Sequence, residues 1–319
     1  MIREKARFLV CGEALFDLFF EADEEMGMRF SARVGGSPFN VALGLARLGR
    51  EVGFFSGISN DFLGARLVRS LETEGVSTEY LIRKDAATTL SLVGLGADGS
   101  PSYAFYGHDS ADRSVEIADL PEIGENIGAL HFGSYSLVAA PSADAFAALA
   151  QKEAGKRLIS VDPNVRLNVE PDIGIWRSRM DFLLPFADLV KISEEDIEAL
   201  FPGVQADNFA RQWMDRGAGL VVVTKGVGGA VGFGRHGPVE VPSIPVDVVD
   251  AVGAGDSFQA ALLCGLDEMG ALSSQGLRSL NRETLGTLLN FAAEAASLTC
   301  SRRGADLPTQ SELREVAEQ

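Results

Sequence analysis

The stretch Asp250-Ala251-Val252-Gly253-Ala254-Gly255-Asp256-Ser257-Phe258 constrains this chain more than any other. It lies between a β-like segment, 239–249, and an apolar-periodic run, 258–269, so it reads as strand, small-residue loop and first helical turn. Gly253, Ala254 and Gly255 carry almost no side chain, and their N–H groups can approach a ligand unobstructed. A helix N-terminus adds orphan N–H donors and a partial positive charge, which suits an anion. Asp256 then puts a carboxylate beside that anion hole. Repulsion argues against this placement unless the carboxylate is a base that takes a proton from a hydroxyl attacking phosphorus. The alternative is structural: Asp256 or Ser257 caps the helix, and the glycines make a tight turn.

Thirty-five glycines spread along 319 residues suggest many tight strand–helix junctions rather than low complexity. That length allows one large α/β domain with an appendage, or two ordinary domains. The net charge of −17 argues against nucleic acid and anionic membranes as partners. It also obliges an anionic substrate to find a local cluster of backbone donors or Arg and Lys. Cys11, Cys264 and Cys300 lack C-x-x-C spacing and sit in apolar surroundings, as buried thiols of a reducing compartment do. His108, His131 and His236 are too scattered for a metal site. Arg3, Lys5 and Arg7 precede an apolar run, but Glu13 and Asp17 interrupt it, so a first core strand is expected there rather than a signal peptide. No stretch is long and apolar enough to span a bilayer, and a cytoplasmic protein is expected.

Residues 7–16 read as a buried strand ending in a Gly-Glu turn. Asp17 would follow at its C-terminal end, where open α/β sheets place ligand groups; a solvated turn residue is the alternative. Residues 18–34 can form a hairpin. Gly35-Gly36-Ser37-Pro38-Phe39-Asn40 opens an amphipathic helix, 41–48, closed by Gly49. Its glycines let backbone approach a ligand, and Asn40 offers donor and acceptor to a ligand hydroxyl, unless Ser37 or Asn40 is an ordinary cap. Segments 88–95 and 102–106 alternate around the turn Ala97-Asp98-Gly99-Ser100. An antiparallel hairpin does not belong in a βαβα parallel sheet. With 18–34 it makes a small separate sheet suited to act as a lid, where Phe105 and Tyr106 would be available to pack on a ligand or simply on neighbouring strands.

Strands at 129–135, 158–162, 188–192 and 219–224 then alternate with helices at 144–153, 175–184, 208–216 and, after the nonapeptide, 284–299. Asp162-Pro163-Asn164-Val165-Arg166 places Asn164 and Arg166 at the sheet's C-terminal edge, Arg166 being one of few cations there. Ser193-Glu194-Glu195-Asp196 opens a helix, where acidic residues ordinarily complement the dipole. Two G-x-G-x-x-G matches, from Gly94 and from Gly232, run into turns and strands rather than helices. No G-x-x-x-x-G-K-[ST] loop occurs, so neither a dinucleotide site nor a P-loop is expected.

The nonapeptide resembles the second signature of the ribokinase-like (PfkB) sugar kinases, D-T-x-G-A-G-D-x-F, with Ala251 in place of Thr. Residues 35–49, GGSPFNVALGLARLG, resemble the first signature, and the two stand in the family's order. The resemblance covers essentially the whole chain. GEALFD, DPNVR, LLPFADLVKISEED and LTCSRRGAD are most similar to the bacterial fructokinase branch. It implies an α/β fold: one domain over 1–319, a doubly wound and mainly parallel sheet flanked by helices, and a small β-sheet lid at about 17–34 and 88–107, through which such proteins often dimerise. It implies transfer of the ATP γ-phosphate to a hydroxymethyl group of a ketohexose. Asp256 would be the base, and Gly253, Ala254 and Gly255 would stabilise the phosphoryl group. Asp17, Gly35, Gly36, Asn40, Phe105, Tyr106, Asn164 and Arg166 would hold the sugar. Ser193, Thr224, Gly226, Gly229, Gly255 and Asn290 would serve the nucleotide. Glu195 and Asp196 would belong to the Mg2+ environment, Ser193 and Asp196 standing in for the family's Asn and Glu. Asp250, Val252, Arg302 and Gly304 would hold a monovalent cation, K+. Within the resemblance the alternatives are a 2-keto-3-deoxygluconate kinase, disfavoured by Gly107 where a cationic clamp is wanted, a ribose or nucleoside kinase, and an inactive sugar-binding regulator.

Overall fold

Strands that are apolar on both faces build the centre of the molecule. The computed structural model describes residues 7–95 and 101–317. Its strands are β1 (Arg7–Cys11), β2 (Leu15–Glu24), β3 (Gly27–Gly35), β4 (Val52–Ser59), β5 (Leu81–Lys84), β6 (Thr89–Leu95), β7 (Pro101–Tyr106), β8 (Ile127–Gly133), β9 (Leu158–Asp162), β10 (Leu189–Ser193), β11 (Leu220–Thr224), β12 (Ala230–Gly234) and β13 (Gly237–Val241). The helices are α1 (Ser37–Arg47), α2 (Phe62–Thr73), α3 (Ser142–Glu153), α4 (Ile173–Leu183), α5 (Glu194–Leu200), α6 (Ala206–Asp215), α7 (Ala254–Glu268), α8 (Ser274–Ser279), α9 (Arg282–Cys300) and α10 (Gln310–Ala317).

The main sheet runs β13-β12-β11-β10-β9-β8-β1-β4-β5. It is parallel from β11 to β5, with β12 and β13 antiparallel at one edge. Helices cover both faces, so alternate side chains of one strand enter different cores. Phe8 and Val10 join a cluster with Phe54, Leu262 and Leu289. Leu9 and Cys11 join Phe132, Phe146 and Trp176 on the other face. The smaller sheet runs β3-β2-β6-β7, parallel only between β2 and β6. This is the doubly wound architecture with a lid sheet that the sequence predicts.

Three expectations change. Residues 7–16 are not one strand. β1 stops at Cys11, the chain bends at Gly12 (φ 155°), and β2 leaves for the lid sheet. A Cβ on Gly12 would stand 2.3 Å from Pro38 Cγ, so the bend is packed against the start of α1. Asp17 therefore sits inside a lid strand, not at the end of a core strand. Second, the β-like segment 239–249 is a strand only through Val241. Pro242 and Pro245 have no N–H to give a ladder, and Val248 and Val249 are exposed. Third, α1 begins at Ser37 rather than at Val41. The expected turn at 97–100 lies outside the described residues, as do Gly96 and Gly99 of the first glycine match. Gly232 and Gly234 are in β12 and Gly237 opens β13, so the second match is a hairpin.

The lid's root is packed directly on the main sheet. A Cβ on Gly57 of β4 would come 2.0 Å from the carbonyl oxygen of Ala111, just after β7. Gly57→Ala is expected to lower stability by about 1–3 kcal/mol, read as an earlier urea midpoint with unchanged slope.

Candidate active site

The head of α7 is open. Gly253 is its N-cap in the left-handed region (φ 80°), and a Cβ there would meet Ala305 Cβ at 2.6 Å. Only glycine fits both demands. Ala254 N–H reaches Ala251 O at 3.3 Å and Ser257 N–H reaches Gly253 O at 2.8 Å. The N–H groups of Gly255 and Asp256 have no acceptor among the described residues. Neither Asp256 nor Ser257 caps the helix. The Asp256 carboxylate accepts from Ser37 Oγ at 2.7 Å and from Asn40 Nδ2 at 2.8 Å, while Ser257 Oγ pairs with Thr299 Oγ1.

The lid brings further groups over this point. Asp17, Ser91 and Phe105 are register partners across β2, β6 and β7, so they share one face. Gly35 and Gly36 are required by the same packing. A Cβ on Gly35 would lie 2.4 Å from Asp17 Oδ2, and one on Gly36 (φ 105°) would lie 2.7 Å from Glu13 O. Tyr106 does not join Asp17. It pairs with Leu90, one residue along, and the pleat turns it to the opposite face, where it is 62% exposed. Phe105 packs edge-on against Tyr135, with the Arg113 guanidinium 5.2 Å from its ring centre. Asn164 adopts a positive φ of 39° and Arg166, exposed, donates to Asn164 O and Val165 O. Burial raises the Asp17 carboxyl, and Ser91 and Arg166 oppose the rise.

Nucleotide candidates gather along the same sheet edge. Ser193 and Thr224 are register partners at the ends of β10 and β11. Ser193 Oγ accepts from Asp196 N–H at 3.0 Å, so it is first of all the cap of α5, and Asp196 Oδ1 accepts from Val165 N–H. Glu195 is exposed. Gly226 and Gly229 both have positive φ, and a Cβ on Gly229 would lie 2.1 Å from Val241 O. Asn290 is exposed on α9 and bonded to none of these loops. Asp250 accepts from Val252 N–H at 3.0 Å and Gly304 N–H at 2.9 Å, whereas the Arg302 side chain turns to Glu312. No cluster of three His, Cys, Asp or Glu suited to a metal occurs among the described residues.

The family model for pfkB family carbohydrate kinases matches residues 5–312. The chain belongs to the pfkB family of carbohydrate kinases. A fructokinase of Rhizobium leguminosarum bv. trifolii is 38% identical over 280 residues, covering 87% of this chain and 85% of its own. The crystal structure of a fructokinase with bound ATP from Xylella fastidiosa superposes with a TM-score of 0.90 at 28% identity, over 98% of both chains. A fructokinase double mutant of Vibrio cholerae O395, in a form with fructose, ADP and potassium bound, does so at 0.83 and 27% identity, over 98% of this chain and 99% of that one.

In this pfkB kinase four charged or polar groups near Asp256 escaped the sequence reading as site residues. Ser37 was read only as a cap. Lys191 and Asp162 form a buried ion pair at 2.8 Å, and Glu13 is 1% exposed with Oε2 unpartnered. Their signal was present: Lys191 is a cation inside the apolar run 189–192, and Glu13 breaks an apolar run. Burial pushes Glu13 up to about 7 and Asp162 up to about 6, with Ser134 opposing the first and Lys191 the second. Burial also raises Asp256, against Ser37, Asn40, Lys191 and Arg166.

Glu13 makes a pH prediction with a definite sign. Its folded pKa, about 7, exceeds the 4.5 of a free carboxyl, so the folded state holds a proton that the unfolded chain releases between those values. That contribution is fully present below about 4.5 and lost as pH rises through about 7. Glu13→Gln is neutral throughout. The stability of the parent protein minus that of Glu13→Gln should fall across this window and be flat on either side, measured by urea unfolding at a series of pH values.

Proposed function

We propose that the chain works as one kinase unit, an ATP-dependent fructokinase, with the four-stranded sheet as its lid. The observation that carries this is a carboxylate, Asp256, buried at a helix head beside two unengaged backbone N–H groups and steered by Ser37 and Asn40. A hydroxymethyl group of the sugar gives its proton to Asp256. Its oxygen attacks the γ-phosphorus, the bond to the β-phosphate oxygen breaks, and ADP leaves with the electron pair. The free N–H groups of Gly255 and Asp256, at the end of the Gly253-Ala254-Gly255 turn, meet charge on the transferring phosphoryl oxygens, where fixed dipoles act without reorganisation. Asp17, the Gly35–Gly36 backbone, Asn40 and Asn164 hold sugar hydroxyls, and Phe105 borders them from the lid.

The nucleotide lies along Thr224, Gly226 and Gly229, with Ser193 at the neighbouring strand end and Asn290 on the α9 side. Glu195 and Asp196 suit Mg2+ that arrives on the polyphosphate, since such an ion needs only one or two carboxylates beside its phosphates and waters. When bound it neutralises phosphate charge. Asp250, with the backbone at Val252, Arg302 and Gly304, is the place for K+. Exposed Met26 and Met28 where β2 turns into β3, at the edge of the lid sheet, support a homodimer through the lids. No described helix is long and apolar enough to cross a membrane. Cys11, Cys264 and Cys300 are not in disulfides among the described residues, which supports a reducing, cytoplasmic setting.

A keto-acid acceptor is the second reading. The Arg113 guanidinium against Phe105, together with Arg166, could meet a carboxylate. ADP release is measured with ATP, Mg2+ and K+ against fructose, 2-keto-3-deoxygluconate, ribose and adenosine in turn. Fructose is expected to give the highest kcat/KM, and Asp256→Asn to lower kcat by about 10²–10⁴-fold. Turnover confined to the keto acid would favour the second reading.

A further inference from the structure

From Leu189 to Ile192, β10 is buried and apolar except at Lys191, whose side chain is 5% exposed. A buried ammonium is costly unless paired, and even a good pair is often no better than apolar residues of the same volume. Asp162, 0% exposed on β9, meets Lys191 Nζ at 2.8 Å. The pair is incomplete. Asp162 Oδ1 has no donor, and the ammonium spends one of its hydrogens on Asp162 with no further acceptor among the described residues. What it lies beside instead is Gly255, in the first turn of α7. A Cβ on Gly255 would stand 3.1 Å from Lys191 Nζ, so the charge lies directly against the backbone whose N–H groups are free.

The groups around Asp256 are unequal in sign. Ser37 and Asn40 on α1 bond it. Asp17 on β2 and Asp162 on β9 add negative charge, Asp196 on α5 adds it beside Asp162 and Lys191, and the phosphoryl group would add more. Arg166, after β9, is exposed and screened by water. Lys191 is the buried cation of the set.

We infer that Lys191, held in place by Asp162, is the positioning residue that keeps Asp256 ionised and supplies fixed positive charge beneath the anion hole. Asp162 has the complementary task of holding Lys191 to one side, so that it does not close on Asp256 and neutralise the base. The inference rests on Asp256 being the base of the proposed reaction.

The test replaces both partners, because removing one leaves an uncompensated buried charge and destabilises for that reason alone. Lys191→Met with Asp162→Asn should regain the thermal midpoint that each single change loses. It should still show kcat for the preferred acceptor about 10–10²-fold down, acceptor KM within a few-fold of the parent, and the acidic limb of kcat/KM moved up by about one pH unit or more. Lys191→Gln with Asp162→Asn, an amide pair, is the second solution should the first not fold. A readout free of turnover is the titration of the Asp256 carboxyl, followed by carbon-13 NMR in the presence of ADP and assigned with Asp256→Asn. Upward displacement in the paired variants supports the role. Recovery of midpoint and kcat together, or an unmoved titration, makes the pair purely structural and overturns it. Failure of the parent to phosphorylate fructose would count against the sugar assignment and leave the titration to decide this point.

Discussion

A carboxylate shut away from water at the head of a helix is the interaction everything else here must support. Asp256 is 6% exposed, and solvent cannot stabilise its charge. Three sources replace water: two side-chain donors from α1, the helix N-terminus itself, and the Lys191 ammonium below. Each depends on backbone that can approach closely. Ser37 and Asn40 reach Asp256 because α1 and α7 are packed tightly, and that closeness is set by small residues. A Cβ on Gly44 of α1 would overlap Ala260 of α7 at 2.7 Å. The helix is pinned from beneath as well, where Gln259 donates to Ser160 Oγ on β9 and that hydroxyl meets His131 Nδ1 on β8. Burial, aided by Lys191, holds His131 down to about 3, so the imidazole stays neutral and adds no competing charge.

The four-stranded sheet is joined to the core without long connecting loops. The chain passes from core strand to lid strand within three residues, Gly12 to Ala14, and returns through Gly35 and Gly36 directly into α1. The β2–β3 ladder thereby carries Asp17 and Gly35 to the start of α1, whose Ser37 and Asn40 bond Asp256. The tight bend at Gly12, the close approach of Gly35 to Asp17 and that of Gly36 to Glu13 are consequences of the same crossing.

What the sequence discloses about this site follows from how local each signal is. The nonapeptide and residues 35–40 encode geometry within one turn, through glycines whose φ values or contacts admit nothing larger, and so they were legible. Ser37 was readable as a cap but not as a ligand of Asp256, because its partner lies 219 residues away. Lys191 stood out as a charge in an apolar run, yet its meaning depends on Asp162, 29 residues earlier and on an adjacent strand. Tyr106 failed for a reason of parity: neighbours on a strand face opposite ways, and only the register of β6 with β7 decides which of Phe105 and Tyr106 faces Asp17. The valines at 246–249 mimic a strand because alternation says nothing about whether a partner strand exists. Ser193 was assigned to the nucleotide, and the helix start took its hydroxyl oxygen first.

The distribution of unsatisfied atoms then separates stability from function. Buried polar groups without partners cost about 1–3 kcal/mol each, and folded proteins carry few of them. The buried side-chain atoms left without partners among the described residues are Glu13 Oε2, Arg113 Nε, His131 Nε2, Asp162 Oδ1 and Gln259 Oε1. Only Gln259 belongs to one of the α-helices named above, on the buried side of α7. Glu13 contacts the Ser37 backbone, Asp162 holds Lys191, Gln259 and His131 share Ser160 under α7, and Arg113 stands behind Phe105. A chain selected for stability alone would fill these positions with apolar residues of equal volume. Their presence where β1, β8, β9 and the lid sheet meet α1 and α7 shows that this region is held away from its most stable composition.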